Sequence, residues 1–243
     1  MSLPKLIVYP IKLLRDNWSD RAYFAWVMAS CYPDLAQHYQ LFLNPEECLR
    51  YEGMKFKRRR SSFLLGRYAA KKALSYYFDE PDLSTIVVLS GVFGQPVVHY
   101  PSPYCPIITI SHTLYAACAI ASPGTHPMGL DVESIDEANT QAMKSQMTSN
   151  ELGAFLDLME SEIAGLTVMW SAKEALSKIL RCGLTCPFEL LAISSLCQNE
   201  DYYEGEYLNF KQYKFQSWVM ETAVCTVVLP RRTQIEIDMN LIV

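Results

Sequence analysis

The sequence predicts a mixed α/β (α+β) fold, and three observations carry that expectation. Short β-branched and aromatic runs alternate with two long helical stretches, near 55–78 and 161–181. The helical stretches share an echo, AAKKAL at 69–74 and SAKEAL at 171–176, 102 residues apart. A turn-rich segment, SPGTHP at 122–127, separates two apolar runs and marks the best boundary. If the echo is a true repeat, the chain is two similar halves, each a small sheet with one long helix. Short Ala/Lys/Leu helices also match by chance.

Taken in order, strands are expected near 5–9, 21–29, 84–89, 107–111, 115–121 and 127–133. Asn44-Pro45-Glu46-Glu47 reads as a helix start, with Asn as N-cap, Pro in the first turn and acids following. The helix over 55–78 is expected to bury Phe56, Phe63, Ala70 and Leu74. A short helix near 148–157 and the long one near 161–181 follow, the latter stopped by Gly183 and Pro187. Strands near 206–210, 213–219 and 222–228 complete the list.

Composition excludes several classes. Half of the 243 residues are hydrophobic and 19% are charged, enough for a substantial core. No apolar run has the length of a membrane span. The opening MSLPKLIVYPIKLL is broken by Pro4, Lys5, Pro10 and Lys12, so it reads as a first strand of a cytoplasmic protein. The eight cysteines form no CxxC pair and read as reduced thiols. A net charge of −5 argues against a nucleic-acid partner. One local asymmetry stands out: eight of the 21 basic residues fall within the 18 positions from Lys55 to Lys72.

The chemistry concentrates in three segments. In MGLDVES (128–134), Asp131 and Glu133 share a face of a strand. At about 4 Å and an effective dielectric near 20, two such charges repel by about 4 kcal/mol. An edge strand entering solvent would relieve that by hydration. A divalent cation with oxygen ligands, Mg²⁺ or Mn²⁺, would turn it into attraction. In VMWSAKEALSK (168–178), Trp170, Glu174 and Lys178 lie four apart on one helical face. They read either as a surface Glu-Lys pair with a core Trp, or as a third metal ligand with a phosphate-binding lysine. In ITISHT (108–113), His112 ends a strand, where it is structural or contacts a phosphate. No Walker loop, GxGxxG, HExxH or GxSxG occurs. The constellation therefore lacks a nucleophile of its own, which suits a reaction whose nucleophile belongs to the second substrate.

In order along the chain, FLLGRYAAKKAL (63–74), GQP (94–96), ISH (110–112), GLDVE (129–133) and WSAKEALSK (170–178) resemble the motifs of the 4′-phosphopantetheinyl transferases, surfactin-synthetase type. The resemblance spans about 63–178 and rests chiefly on the GLDVE and WxxKExxxK pair. It implies two similar subdomains related by pseudo-twofold symmetry, 1–126 and 127–243, in a monomer. It implies transfer of the 4′-phosphopantetheine arm of coenzyme A to a serine of an apo acyl or peptidyl carrier protein, releasing 3′,5′-ADP.

By position, the resemblance makes Asp131, Glu133 and Glu174 ligands of Mg²⁺ (or Mn²⁺). Glu174 also helps remove the serine proton, and Lys178 contacts the pyrophosphate. His112 and Ser111 meet the 3′-phosphate, with Arg67 and Arg50 as further phosphate contacts. Gln95 stands where many members have lysine. The segment 135–147, with Met128, Met143 and Met147 nearby, is expected either to meet the carrier or to pack in the core.

Overall fold

The structure, a computed structural model, describes residues 3–159 and 161–237. It divides into two compact units. One runs to Pro127 and takes back the segment from Ile235; the other runs from Met128 to Gln234.

In the first unit, β1 (Val8–Arg15) and β2 (Trp18–Met28) form an antiparallel hairpin. Helices α1 (Tyr32–Gln37), α2 (Pro45–Glu52) and α3 (Lys57–Phe78) follow. Then come a two-stranded ribbon, β3 (Val87–Ser90) with β4 (Pro96–His99), and the hairpin β5 (Ile107–His112) with β6 (Ala116–Ser122). The second unit repeats this plan. β7 (Gly129–Ser134) leads into α4 (Thr140–Ser145), α5 (Ser149–Phe155) and α6 (Glu162–Leu180). The strands β8 (Ile193–Gln198), β9 (Tyr203–Tyr207), β10 (Tyr213–Val219) and β11 (Ala223–Pro230) follow, and β12 (Gln234–Glu236) adds beside β1. The sheet orders are β12-β1-β2-β6-β5 and β7-β11-β10-β9-β8. In each unit the strand before the helices pairs antiparallel with the last strand of the closing hairpin, β2 with β6 and β7 with β11.

The two long helices hold matching features 102 positions apart, so the sequence echo is structural. Lys71 of α3 and Lys173 of α6 are fully buried. Each meets a glutamate from the preceding short helix, Glu47 or Glu151, that is itself 1% exposed. Those glutamates are the third residues of capping boxes on Asn44 and Thr148. A capping glutamate needs only one oxygen for its own helix end. Here the other oxygen also accepts a strand amide, Val88 N–H at 3.3 Å and Ile193 N–H at 2.9 Å. One carboxylate thus ties a helix start, a long helix and a strand in each core. The lysines complete their bonding on carbonyls, Phe42 and Leu83 for Lys71, Gln146 for Lys173. Both long helices end on a non-glycine residue in the left-handed region, Asp79 at φ 54° and Arg181 at φ 56°.

Some expectations shift. The first strand begins at Val8, not 5, and carries Pro10 and Lys12 within it; Lys12 stays exposed and pairs with Glu236. Around 84–89, a 3₁₀ turn over Leu83–Thr85 precedes the strand, which starts at Val87. The strand expected at 206–210 lies at 203–207, and β4, β8, β12, α1 and α4 were not anticipated. Phe56 is not part of the buried stripe: it is the N-cap of α3 and 73% exposed. Met128, Met143 and Met147 are all buried, the last two in the second unit's core, so they pack rather than present a surface.

Candidate functional site

Gly129 sets up the acidic site of the second unit. A Cβ there would lie 2.1 Å from the Ala175 carbonyl oxygen, so only glycine lets β7 pass this close to α6. The approach brings Lys178 down onto the strand, where its ammonium donates to the Leu130 carbonyl at 2.7 Å and to Asp131 Oδ1 at 2.8 Å. Lys178 therefore pairs across to β7, not along its own helix as a surface partner of Glu174. Although β7 is an edge strand, Asp131 is only 4% exposed, so the hydrated-edge reading does not hold for it.

Glu133, two residues on, is half-buried and accepts from the Trp170 indole. Trp170 itself packs on Phe188, with ring centroids 4.9 Å apart. Burial, and then the nearby Asp131 charge, push the Glu133 carboxyl up to about 7. The same two causes raise Glu174, with Lys178 acting against them. The three carboxyls thus feel one another.

Among the described residues, no three His, Cys, Asp or Glu side chains already stand in a metal-holding arrangement. Lys178 takes the near side of Asp131. The donor set nevertheless fits Mg²⁺ or Mn²⁺: all oxygen, with three carboxyls against one lysine and two of them pushed up by burial and by the neighbouring Asp131 charge.

A second cleft lies within the first unit, with a volume of about 290 Å³. Arg50, Arg59, Arg67 and His112 line it, with Ser62 and Ser90. Gly66 lets α3 close on β5; a Cβ there would sit 3.1 Å from Ile110 Cγ2. Arg50 is fixed by a 2.6 Å bond to Ser90 Oγ, and both Arg50 and Arg67 stack over Phe63.

Arg67 is the informative member. It is 8% exposed, its Nε lacks a hydrogen-bond partner among the described residues, and its nearest carboxylate oxygen, on Glu47, is 3.5 Å away. Burial pulls its guanidinium down to about 10, against the pull of Glu47. That leaves it charged at neutral pH. Glu47 already serves Lys71, so the buried group carries one excess positive charge. In the second unit the matching position is Met169, and the Glu151–Lys173 pair is balanced. The first unit therefore adds a buried cation to a shared scaffold and aims it into a cleft, as an anion site requires.

Of the residues named from sequence, Asp131, Glu133, Glu174 and Lys178 come together in the second unit, and Arg50, Arg67 and His112 in the first. Ser111 does not join them: Ile110 and His112 face the cleft, and the strand turns Ser111 to the other, buried side. Gln95 is also absent from the cleft lining. Its amide oxygen accepts the Phe93 N–H at 3.0 Å, so it folds back onto its own turn. Arg59 was missed, because its neighbours Lys57, Arg58 and Arg60 make it read as part of a solvated run.

Residues 127–228, which contain the whole acidic site, match the family model described as ACPS, the 4′-phosphopantetheinyl transferase superfamily. That match supports the enzyme class of the 4′-phosphopantetheinyl transferases. Among solved structures, the chain is similar to a holo-(acyl-carrier-protein) synthase from Bacillus anthracis str. Ames in complex with CoA (3′,5′-ADP). That likeness is at 20% identity and TM-score 0.37, over 48% of this chain and 96% of that one. It is also similar to a holo-ACP-synthase from Plasmodium yoelii, at 15% identity and TM-score 0.34, over 49% of this chain and 95% of that one. No curated protein matched the chain. Among the described residues, no helix is long and apolar enough to cross a membrane.

Proposed function

We propose that this chain transfers the 4′-phosphopantetheine moiety of coenzyme A to a serine hydroxyl of an apo carrier protein, releasing 3′,5′-ADP. We read it as a monomeric cytoplasmic enzyme of the surfactin-synthetase type, with the metal acids in the 127–243 half and the 3′-phosphate cleft in the 1–126 half. The observation that carries the reading is the acidic cluster of β7 and α6, under-supplied with positive charge, inside the segment that matches the superfamily.

Asp131, Glu133 and Glu174 are the residues that would hold Mg²⁺ or Mn²⁺, and the ion would supply charge neutralisation at the diphosphate. The remaining roles belong to the chain itself. Glu174, raised toward neutrality, is matched to accept the proton of the attacking serine. The serine oxygen forms the new bond to the phosphorus that bears the pantetheine arm, and the bond to the departing 3′,5′-ADP breaks. Lys178 supplies mobile donors to the phosphate oxygens that gain charge as this happens. Arg67, Arg50 and His112 hold the 3′-phosphate, with Arg67 contributing the buried charge that has no full counter-ion. Ser111 supports the strand end beneath His112.

The test is mass spectrometry of a panel of apo carrier proteins incubated with the enzyme, coenzyme A and Mg²⁺. Gain of one phosphopantetheine mass is expected. No gain across fatty-acid, polyketide and nonribosomal-peptide carriers would overturn the proposal.

A further inference from the structure

Helix α6 runs past the acidic site into a turn that carries two thiols. Arg181 closes the helix in the left-handed region, and a 3₁₀ turn over Gly183–Thr185 follows, with Gly183 at φ 50°. The Thr185 N–H bonds the Cys182 carbonyl at 3.1 Å, and the Thr185 hydroxyl bonds the same oxygen. The turn folds Cys186 back beside Cys182, so the two thiols lie within hydrogen-bonding reach of each other. Both are half-buried, whereas Cys118 and Cys225 are buried and Cys105 and Cys197 are exposed. The Cys182 thiol donates to the Ser177 carbonyl at 3.7 Å, which also accepts the Cys182 N–H at 3.1 Å. Burial, and then the neighbouring Cys186, push the Cys182 thiol up, so it keeps its proton. The transfer chemistry uses neither cysteine.

We propose that Cys182 and Cys186 form a reversible oxidation site, which hydrogen peroxide converts to an intramolecular disulfide. The Cys186 thiolate attacks one peroxide oxygen. The O–O bond breaks, leaving a sulfenic acid on Cys186 and releasing hydroxide. The Cys182 sulfur then attacks the Cys186 sulfur and displaces the second hydroxide. The two thiols lose two electrons, the peroxide gains them, and the two thiol protons leave within two waters. Cys182 serves as the resolving thiol because it holds its proton until the sulfenic acid has formed beside it. The bond spans only the five residues from Cys182 to Cys186, already folded back by the turn, so little chain has to be ordered to close it. Oxidation removes the Cys182 thiol donor from the Ser177 carbonyl, but the Cys182 N–H still satisfies that oxygen. The end of α6 therefore survives the change, and reduction restores it.

The experiment treats the folded chain with hydrogen peroxide, alkylates the thiols that remain, and cuts with a glutamate-specific protease. Cleavage after Glu174 and Glu189 frees Cys182 and Cys186 in one peptide, apart from the other cysteines. By mass, that peptide is expected to be two hydrogens lighter and unalkylated, and to take up two alkyl groups once dithiothreitol has been added. Cys186→Ser should slow the peroxide-dependent loss of the Cys182 thiol by about tenfold or more. Cys182→Ser should leave a sulfenic acid on Cys186 that dimedone traps. Full alkylation of both thiols at peroxide doses that consume the exposed Cys105 and Cys197 overturns the site. So does a bridge from either thiol to another cysteine, or sulfinic acid on either with no bridge formed.

Discussion

Glu133→Gln should stabilise the metal-free protein, and only where the carboxylate would otherwise be charged. Glu133 is held at about 7 in the folded chain, against an ordinary value of 4.5. Between these values the unfolded chain has lost the proton that the folded chain keeps. Stability therefore falls as pH rises through this window, and the loss is complete above about 7. The full displacement corresponds to at most about 3 kcal/mol. Solvent around a half-buried group reduces this to about 1–2 kcal/mol. Glutamine keeps the acceptor for Trp170 and never ionises, so the variant avoids the penalty. Urea melts in EDTA should show it more stable than the wild type by about 1–2 kcal/mol at pH 8 and equal to it below about pH 4.5. A difference that stays constant with pH, or a less stable variant at pH 8, would refute the picture of a crowded, charge-starved carboxyl.

Other consequences can be checked together. Gly129→Ala drives a methyl into the Ala175 carbonyl; it should cost about 1–3 kcal/mol in denaturant melts and separate Lys178 from Asp131, abolishing transfer. Lys173→Met leaves Glu151 buried without its cation and should cost about 3–5 kcal/mol by chemical denaturation. Arg67→Met copies the residue of the second unit; thermal melts should show equal or higher stability, while calorimetry shows coenzyme A affinity reduced at least about tenfold.

Helices α2 and α6 were legible from local signals, Asn44-Pro45 at the start of one and Gly183 and Pro187 beyond the end of the other, and α3 from its repeating apolar face. β8 and β9 were harder. ISSLCQ and YEGEY alternate weakly, since polar and charged residues fill their outward positions and Gly205 lies pressed against Phe215. The twin Glu–Lys ties escaped notice because a lysine within AKKAL reads as solvated; only tertiary packing shows it buried. The acids and lysine of the second unit were legible as types at fixed spacing. That Lys178 would rest on Asp131 was not, because that contact depends on how closely β7 and α6 approach. Arg67 was named from its place after the helix glycine, and its unbalanced charge emerged only beside Glu47 and Lys71.

The most direct test of the central claim follows an apo carrier protein by intact mass in coenzyme A and Mg²⁺, with wild type beside Asp131→Ala and Glu174→Ala. Addition of one phosphopantetheine by the wild type, with loss of about a hundredfold or more in rate for both folded variants, is the predicted result. Full-rate transfer by either variant, or none by the wild type on any carrier, would contradict it.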